Sequence, residues 1–153
     1  MTIQEFRKKV KPYEKLLIDG REFMVREIIK FRFDDGSYYV KCLLNNGYVL
    51  ADDEEREMFL LVREVRTLFT EPFGDSLDFD GKKYKFLYKA HAVAEEVSGS
   101  KFFKKGESET FWDFMAEDGS YLSLGKKDGQ NKRLDFCGKT INPDLAKLHD
   151  SSI

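Results

Sequence analysis

Cysteine, histidine and proline are all scarce in this 153-residue chain, and each scarcity removes a class of function. Cys42 and Cys137 stand alone, without CxxC or Cys/His spacing, so neither a thiolate metal cluster nor a disulfide framework is indicated. His91 and His149, the two histidines, lie far apart with no Cys or carboxylate at ligand spacing, and both read as surface residues. Three prolines and no low-complexity tract describe a folding chain. No apolar run approaches a membrane span, and Met1-Thr2-Ile3-Gln4-Glu5-Phe6 shows no basic region followed by an apolar one. The expected location is therefore cytoplasmic and reducing. Phosphate loops, HExxH, SxxK and nucleophile elbows are missing too, so no catalytic residue, metal or cofactor is assigned.

Nor is there a charge excess of one sign. The formal charge is -2, from 26 basic and 28 acidic residues. Up to Ser76 there are 13 basic and 15 acidic residues, which leaves 13 of each beyond it. Neither half carries the basic surplus of a domain that grips phosphate backbones. Asp52-Asp53-Glu54-Glu55 reads as a solvated acidic turn, since it has neither the alternating ligands nor the central glycine of a calcium loop.

What the chain has in quantity is aromatic residues and strand patterning: 14 Phe, 7 Tyr and 41% apolar residues overall. One stretch is written twice. Ile18-Asp19-Gly20-Arg21-Glu22-Phe23 and Phe79-Asp80-Gly81-Lys82-Lys83-Tyr84 share the order apolar, Asp, Gly, charged, charged, aromatic. Each reads as a tight turn feeding a strand, at the head of one of two related β units.

Thr2 and Glu5 predict a capping box for a helix over residues 3 to 10, ended by Pro12. Phe23, Val25, Ile29, Phe31 and Phe33 then form one apolar strand face, with Glu27 breaking the set. Asp34-Asp35-Gly36 and Asn45-Asn46-Gly47 are turns, with strands at 38–44 and 48–51. Residues 52–57 read as a polar turn and 58–65 as a strand, by analogy with the glycine-rich 125–131 stretch of the second unit. After the linker Thr70–Ser76, Tyr84, Phe86, Tyr88, Ala90 and Ala92 alternate with charged residues as the cleanest amphipathic strand. Gly20 to Gly47 spans 27 positions and Gly81 to Gly119 spans 38, so eleven residues are added around 94–110. The addition reads as an extended hairpin or projecting loop. Asn142-Pro143-Asp144 predicts a closing helix to about His149. The fold expected is mainly β: two tandem antiparallel meanders, partly barrel-like and packed through aromatic faces, with short helices at both termini. The units are 1–72 and 73–153, and the two can count as one compact domain.

Asp80-Gly81-Lys82-Lys83-Tyr84, then Trp112-Asp113-Phe114, then Glu117-Asp118-Gly119-Ser120-Tyr121-Leu122 resembles the DUF4178 family, most fully over the second unit. The first unit has Val40-Lys41-Cys42 where the Trp motif would stand. The resemblance implies a bacterial β-rich domain of no settled function and carries over no active residues.

The leading functional expectation is a non-catalytic binding or scaffolding module that engages a protein partner, or a second copy of itself, through the 94–110 extension or an exposed strand edge. Phe102 and Phe103 are its candidate contacts, with Lys101 and Lys104 beside them; the equal alternative is that this pair folds back over the sheet. The alternative is a single-stranded nucleic-acid-binding β-barrel using Tyr88 and Trp112 as a stacking platform, against which stands the balanced charge. An enzyme ranks third and requires a cleft between the units lined by Asp113 and a second carboxylate.

Overall fold

The computed structural model describes residues 1–100 and 102–148. Over these, helix α1 (Ile3–Lys9) precedes the strands β1 (Lys15–Ile18), β2 (Arg21–Phe33), β3 (Tyr38–Leu44), β4 (Tyr48–Asp53), β5 (Met58–Val65), β6 (Ser76–Phe79), β7 (Lys82–Gly99), β8 (Ser108–Met115), β9 (Ser120–Lys127), β10 (Arg133–Ile141) and β11 (Ala146–Leu148). Each strand hydrogen-bonds to the next in the order β11-β1-β2-β3-β4-β5-β10-β9-β8-β7-β6. A further pairing of β2 with β7 closes the middle eight into an antiparallel barrel. The two halves thus join edge to edge, at β5–β10 and β2–β7, and not through aromatic faces. The stretch 58–65 is the strand β5, and the polar turn before it spans 54–57.

Both Asp-Gly turns have positive φ at each central residue: 48° and 79° at Asp19 and Gly20, 50° and 77° at Asp80 and Gly81. That geometry matches the natural twist of paired strands, and Asp-Gly is among the few dipeptides that adopt it cheaply. The strand after each turn then carries a bulge. Arg26 is the extra residue of β2 and Leu87 of β7, each six positions past its glycine. A bulge inserts one unpaired residue and so reverses which side of the wall the following side chains face. Phe23 and Val25 therefore pack outside the barrel, whereas Glu27, Ile29, Phe31 and Phe33 point in. In β7, Tyr84 and Phe86 pack outside, and Tyr88, Ala90 and Ala92 line the interior. The single alternating face expected of each strand is in fact two half-faces on opposite sides.

The outer wall is coated on both flanks. On the first flank α1 lays Ile3 and Phe6 over Val40, Cys42, Leu50 and Phe59, with the Phe6 and Phe59 rings edge to face at 4.9 Å. Thr2 caps the helix by accepting the Glu5 amide at 3.0 Å. Arg7 fastens it down: the guanidinium donates to Asp52 at 2.8 and 2.9 Å and to Glu54 at 2.7 Å, all on the β4 end. On the second flank the linker and β6 bring Phe69, Phe73, Leu77 and Phe79 over Trp112, Phe114, Leu122 and Leu124. The two thiols belong to these separate coats and both are free; burial pushes the Cys42 thiol well up, which keeps it inert.

Two expectations about the ends of elements are corrected. Asn142 caps a single 3-10 turn over Pro143–Leu145, and the chain then becomes β11 against β1, since the free edge of β1 offers more hydrogen bonds than another helical turn. The expected helical end at His149 lies outside the described residues. The 94–110 addition does not project. Its first part lengthens β7 so that 92–99 can pair with β2, and the remainder folds back across the barrel end. Gly99 makes that reversal possible, with φ 108° and so little room that a Cβ would sit 2.3 Å from the Arg26 carbonyl oxygen.

Candidate binding cavity

Eight strands make a barrel wide enough to be filled by side chains or to hold one small ligand. Here small residues leave the space open. Ala51, Ala90 and Gly125 face the lumen on β4, β7 and β9, and a cavity of about 870 Å³ remains, within the usual range for small-molecule sites. Val49, Leu60, Val62 and Leu134 supply an aliphatic wall. The opposite wall is aromatic. Tyr39 stacks against Phe31 and Phe33 at 5.2 Å and meets Phe111 edge-on at 6.0 Å, and Tyr88 meets Phe111 at 6.3 Å.

Polar groups converge in this apolar surround. Asp113, only 3% exposed, accepts the Tyr121 hydroxyl at 2.5 Å and the Ser123 hydroxyl at 2.6 Å. With its proton committed to Asp113, Tyr121 can only accept from Tyr88, whose hydroxyl lies 3.4 Å away. Burial pushes the Asp113 carboxyl up to about 6, the donors oppose the rise, and the nearby Glu109 charge adds to it. The same burial, with Asp113 beside them, holds the Tyr88 and Tyr121 phenols well above the ordinary range. Glu109 forms a second centre. It accepts the Tyr39 hydroxyl at 2.7 Å and faces the Lys41 ammonium at 3.8 Å. Lys41 in turn lies 5.1–5.5 Å from the centres of the Phe31, Phe103 and Phe136 rings.

One end is plugged. Glu27, fully buried, accepts the amides of Phe102 and Phe103, the latter at 2.9 Å. That holds the loop so that Phe103 enters the barrel against Phe31 at 5.3 Å. The mouth carries both signs of charge. Asp34, Asp35, Asp53, Glu54 and Glu55 stand with Arg56, Lys89, His91 and Lys126, whereas Lys127 lies at the plug, over the Phe103 ring at 4.6 Å. The His91 ring bridges Asp34 from Nδ1 at 2.8 Å and Asp128 from Nε2 at 2.7 Å; only the imidazolium donates to both, and these two bonds raise its pKa.

The residues singled out from sequence are dispersed by this geometry. Phe103 is 2% exposed and lines the lumen, whereas Phe102 is 62% exposed; Lys104 is on the loop surface, and Lys101 lies outside the described residues. Tyr88 faces the cavity and Trp112 the outer coat, under Phe73 at 5.1 Å, so the wall of the barrel separates them. Asp113, expected only as part of a possible cleft, does line a cavity with a second carboxylate, Glu109. Tyr39, Lys41 and Tyr121 were not picked out as site residues; Lys41 and Asp113, lone charges between apolar neighbours on short strands, were the available signal. Among the described residues no helix is long and apolar enough to cross a membrane, and no group of three His, Cys, Asp or Glu is placed to hold a metal ion.

No curated protein and no solved structure matches the chain. A family model does, over residues 14–143, from the end of α1's connection to the last turn of the barrel. That span contains every strand of the barrel and every lumen residue named above, and on it the chain belongs to the family described as a domain of unknown function, DUF4178.

Proposed function

We propose that this chain is a binding module whose ligand is a small, partly apolar molecule held inside the barrel. The carrying observation is the open lumen of about 870 Å³, walled by aromatic and aliphatic side chains with a few convergent polar groups. A barrel of this size that served only as a scaffold would gain by filling that space, because each unfilled methylene-sized gap forfeits packing energy. Placing Ala51, Ala90 and Gly125 on the inner face does the opposite. The loop around Phe103 acts as the floor of the site.

The neutral fluorophore N-phenyl-1-naphthylamine tests this. Its emission should rise on binding to the full chain, and Ala90→Trp, which fills the lumen, should abolish the rise while the far-ultraviolet circular dichroism stays unchanged. Emission that does not rise, or that is indifferent to Ala90→Trp, overturns the reading.

A second reading is favoured by one observation. Asp113, with its raised pKa, and Glu109 share the cavity with Tyr39, Tyr88 and Tyr121, an arrangement suited to proton transfer. Turnover of a bound ligand that disappears in Asp113→Asn would support an enzyme; an unaltered ligand recovered after incubation supports the binding module.

A further inference from the structure

The buried charges around the lumen do not balance. Asp52, at the mouth, is matched by Arg7 at 2.8 Å, and Glu109 by Lys41 at 3.8 Å. Asp113 has hydroxyl donors only; among the described residues no cation lies within ion-pair distance of it. Each of its oxygens uses one acceptor site and keeps another. A buried carboxylate without an opposite charge is costly, and proteins ordinarily pair it or replace it. Its neighbours are aromatic: Tyr88 stands opposite it in register on β7, and Phe111 lies two residues before it on the same inner face. Other rings of the lumen, and Tyr88 itself, already take cations from the protein. Lys41 sits over Phe31, Phe103 and Phe136, and the Arg56 guanidinium lies over Tyr88 at 5.7 Å.

We propose that the lumen takes an organic ammonium ion, with Asp113 as its counter-ion and the Tyr88 and Phe111 rings as walls. This rests on the lumen being the binding site. A ring face attracts a cation through its quadrupole, and the attraction is larger where water is excluded. A metal ion fits poorly, since one carboxylate and two phenols supply too few hard ligands. An anion is disfavoured by the interior charge, in which the inward carboxylates Glu27, Glu109 and Asp113 outnumber the cations Lys41 and Lys127. The mouth, with both signs present, does not select; the interior does.

Choline and its neutral isostere 3,3-dimethylbutan-1-ol separate charge from shape. Calorimetry on the full chain at pH 7.5 should show choline bound roughly tenfold or more tightly than the isostere, and Asp113→Asn should bring the two to parity. In the wild-type protein choline affinity should fall below about pH 6 while the isostere's holds, because Asp113 accepts a proton there. The other groups around Asp113 are the phenols of Tyr39, Tyr88 and Tyr121, raised well above this range, Glu109 beside Lys41, and Asp53 paired with Arg56 at 3.1 Å. The pH series needs no variant, so it decides even if Asp113→Asn does not fold. Equal affinities, or a pH-independent difference, overturn the ammonium assignment. N-phenyl-1-naphthylamine bound without choline overturns it too and leaves the lumen reading standing; neither probe bound removes both.

Discussion

Asp52 and Asp113 are both buried carboxylates on barrel strands, one serving the outer coat and one the lumen. Asp52 receives a two-pronged guanidinium from Arg7 and the Val40 amide at 3.3 Å, so burial pushes its pKa up while Arg7 pulls it back. Asp113 receives only neutral hydroxyls, so no charge opposes the burial that raises both carboxyls. The first is a fastener whose partner is already in the protein. The second is a charge kept at the protein's expense, and what compensates it has to come from outside or from a proton.

The difference can be broken at several strengths. Arg7→Ala should cost about 3–5 kcal/mol in urea unfolding, since it strands the Asp52 charge under α1. A loss below about 1 kcal/mol would make Asp52 no better anchored than a surface pair. For Asp113 the expected effect of substitution is the opposite, a gain. Its folded pKa of about 6 lies above the ordinary value of 3.8, so the native protein binds more protons between those limits and loses stability as pH rises through 6. Asp113→Asn removes that slope and should be more stable than wild type at pH 8 by up to about 3 kcal/mol, less about 1 kcal/mol for impaired hydrogen bonding. At pH 4 the advantage should vanish. Equal destabilisation at both pH values would make Asp113 a second fastener.

Glu27 sits between these cases, a buried carboxylate satisfied by backbone amides. Glu27→Gln should cost about 1–2 kcal/mol, read as faster hydrogen exchange at the Phe102 and Phe103 amides, with the rest of the barrel unchanged. The smallest effect concerns the exposed Asp34. Asp34→Asn should lower the His91 pKa towards its ordinary 6.5 in an NMR titration. Because that pKa is raised in the folded state, the contribution of His91 is present below 6.5 and lost as pH climbs through the folded value.

The local grammar of the chain was legible where turns are chemically distinctive. Asp19-Gly20, Asp80-Gly81 and Asn45-Asn46-Gly47 mark real reversals, and comparison of the two halves separated β5 from a helix. What followed each Asp-Gly turn was not legible. Tyr84, Phe86, Tyr88, Ala90 and Ala92 keep perfect period two, yet the bulge at Leu87 sends the first two outward and the rest inward. Glu27 hinted at the same event in β2, since a carboxylate in an apolar series can mean that the series has changed sides. The lumen escaped for a different reason. Tyr39 and Glu109 are 70 residues apart, and only the β2–β7 seam brings them within 2.7 Å.

That seam also governs the order of assembly. It joins Glu27 to Gly99, so a growing chain carries β2 with one open edge until more than half of its length is made, and β5 with another until β10 follows. Open edges recruit other strands, and closure across so long a loop is slow. Ring closure should therefore be the late, rate-limiting event in folding, and α1, which covers the outer side of exactly those early strands, is placed to shelter them in the interval.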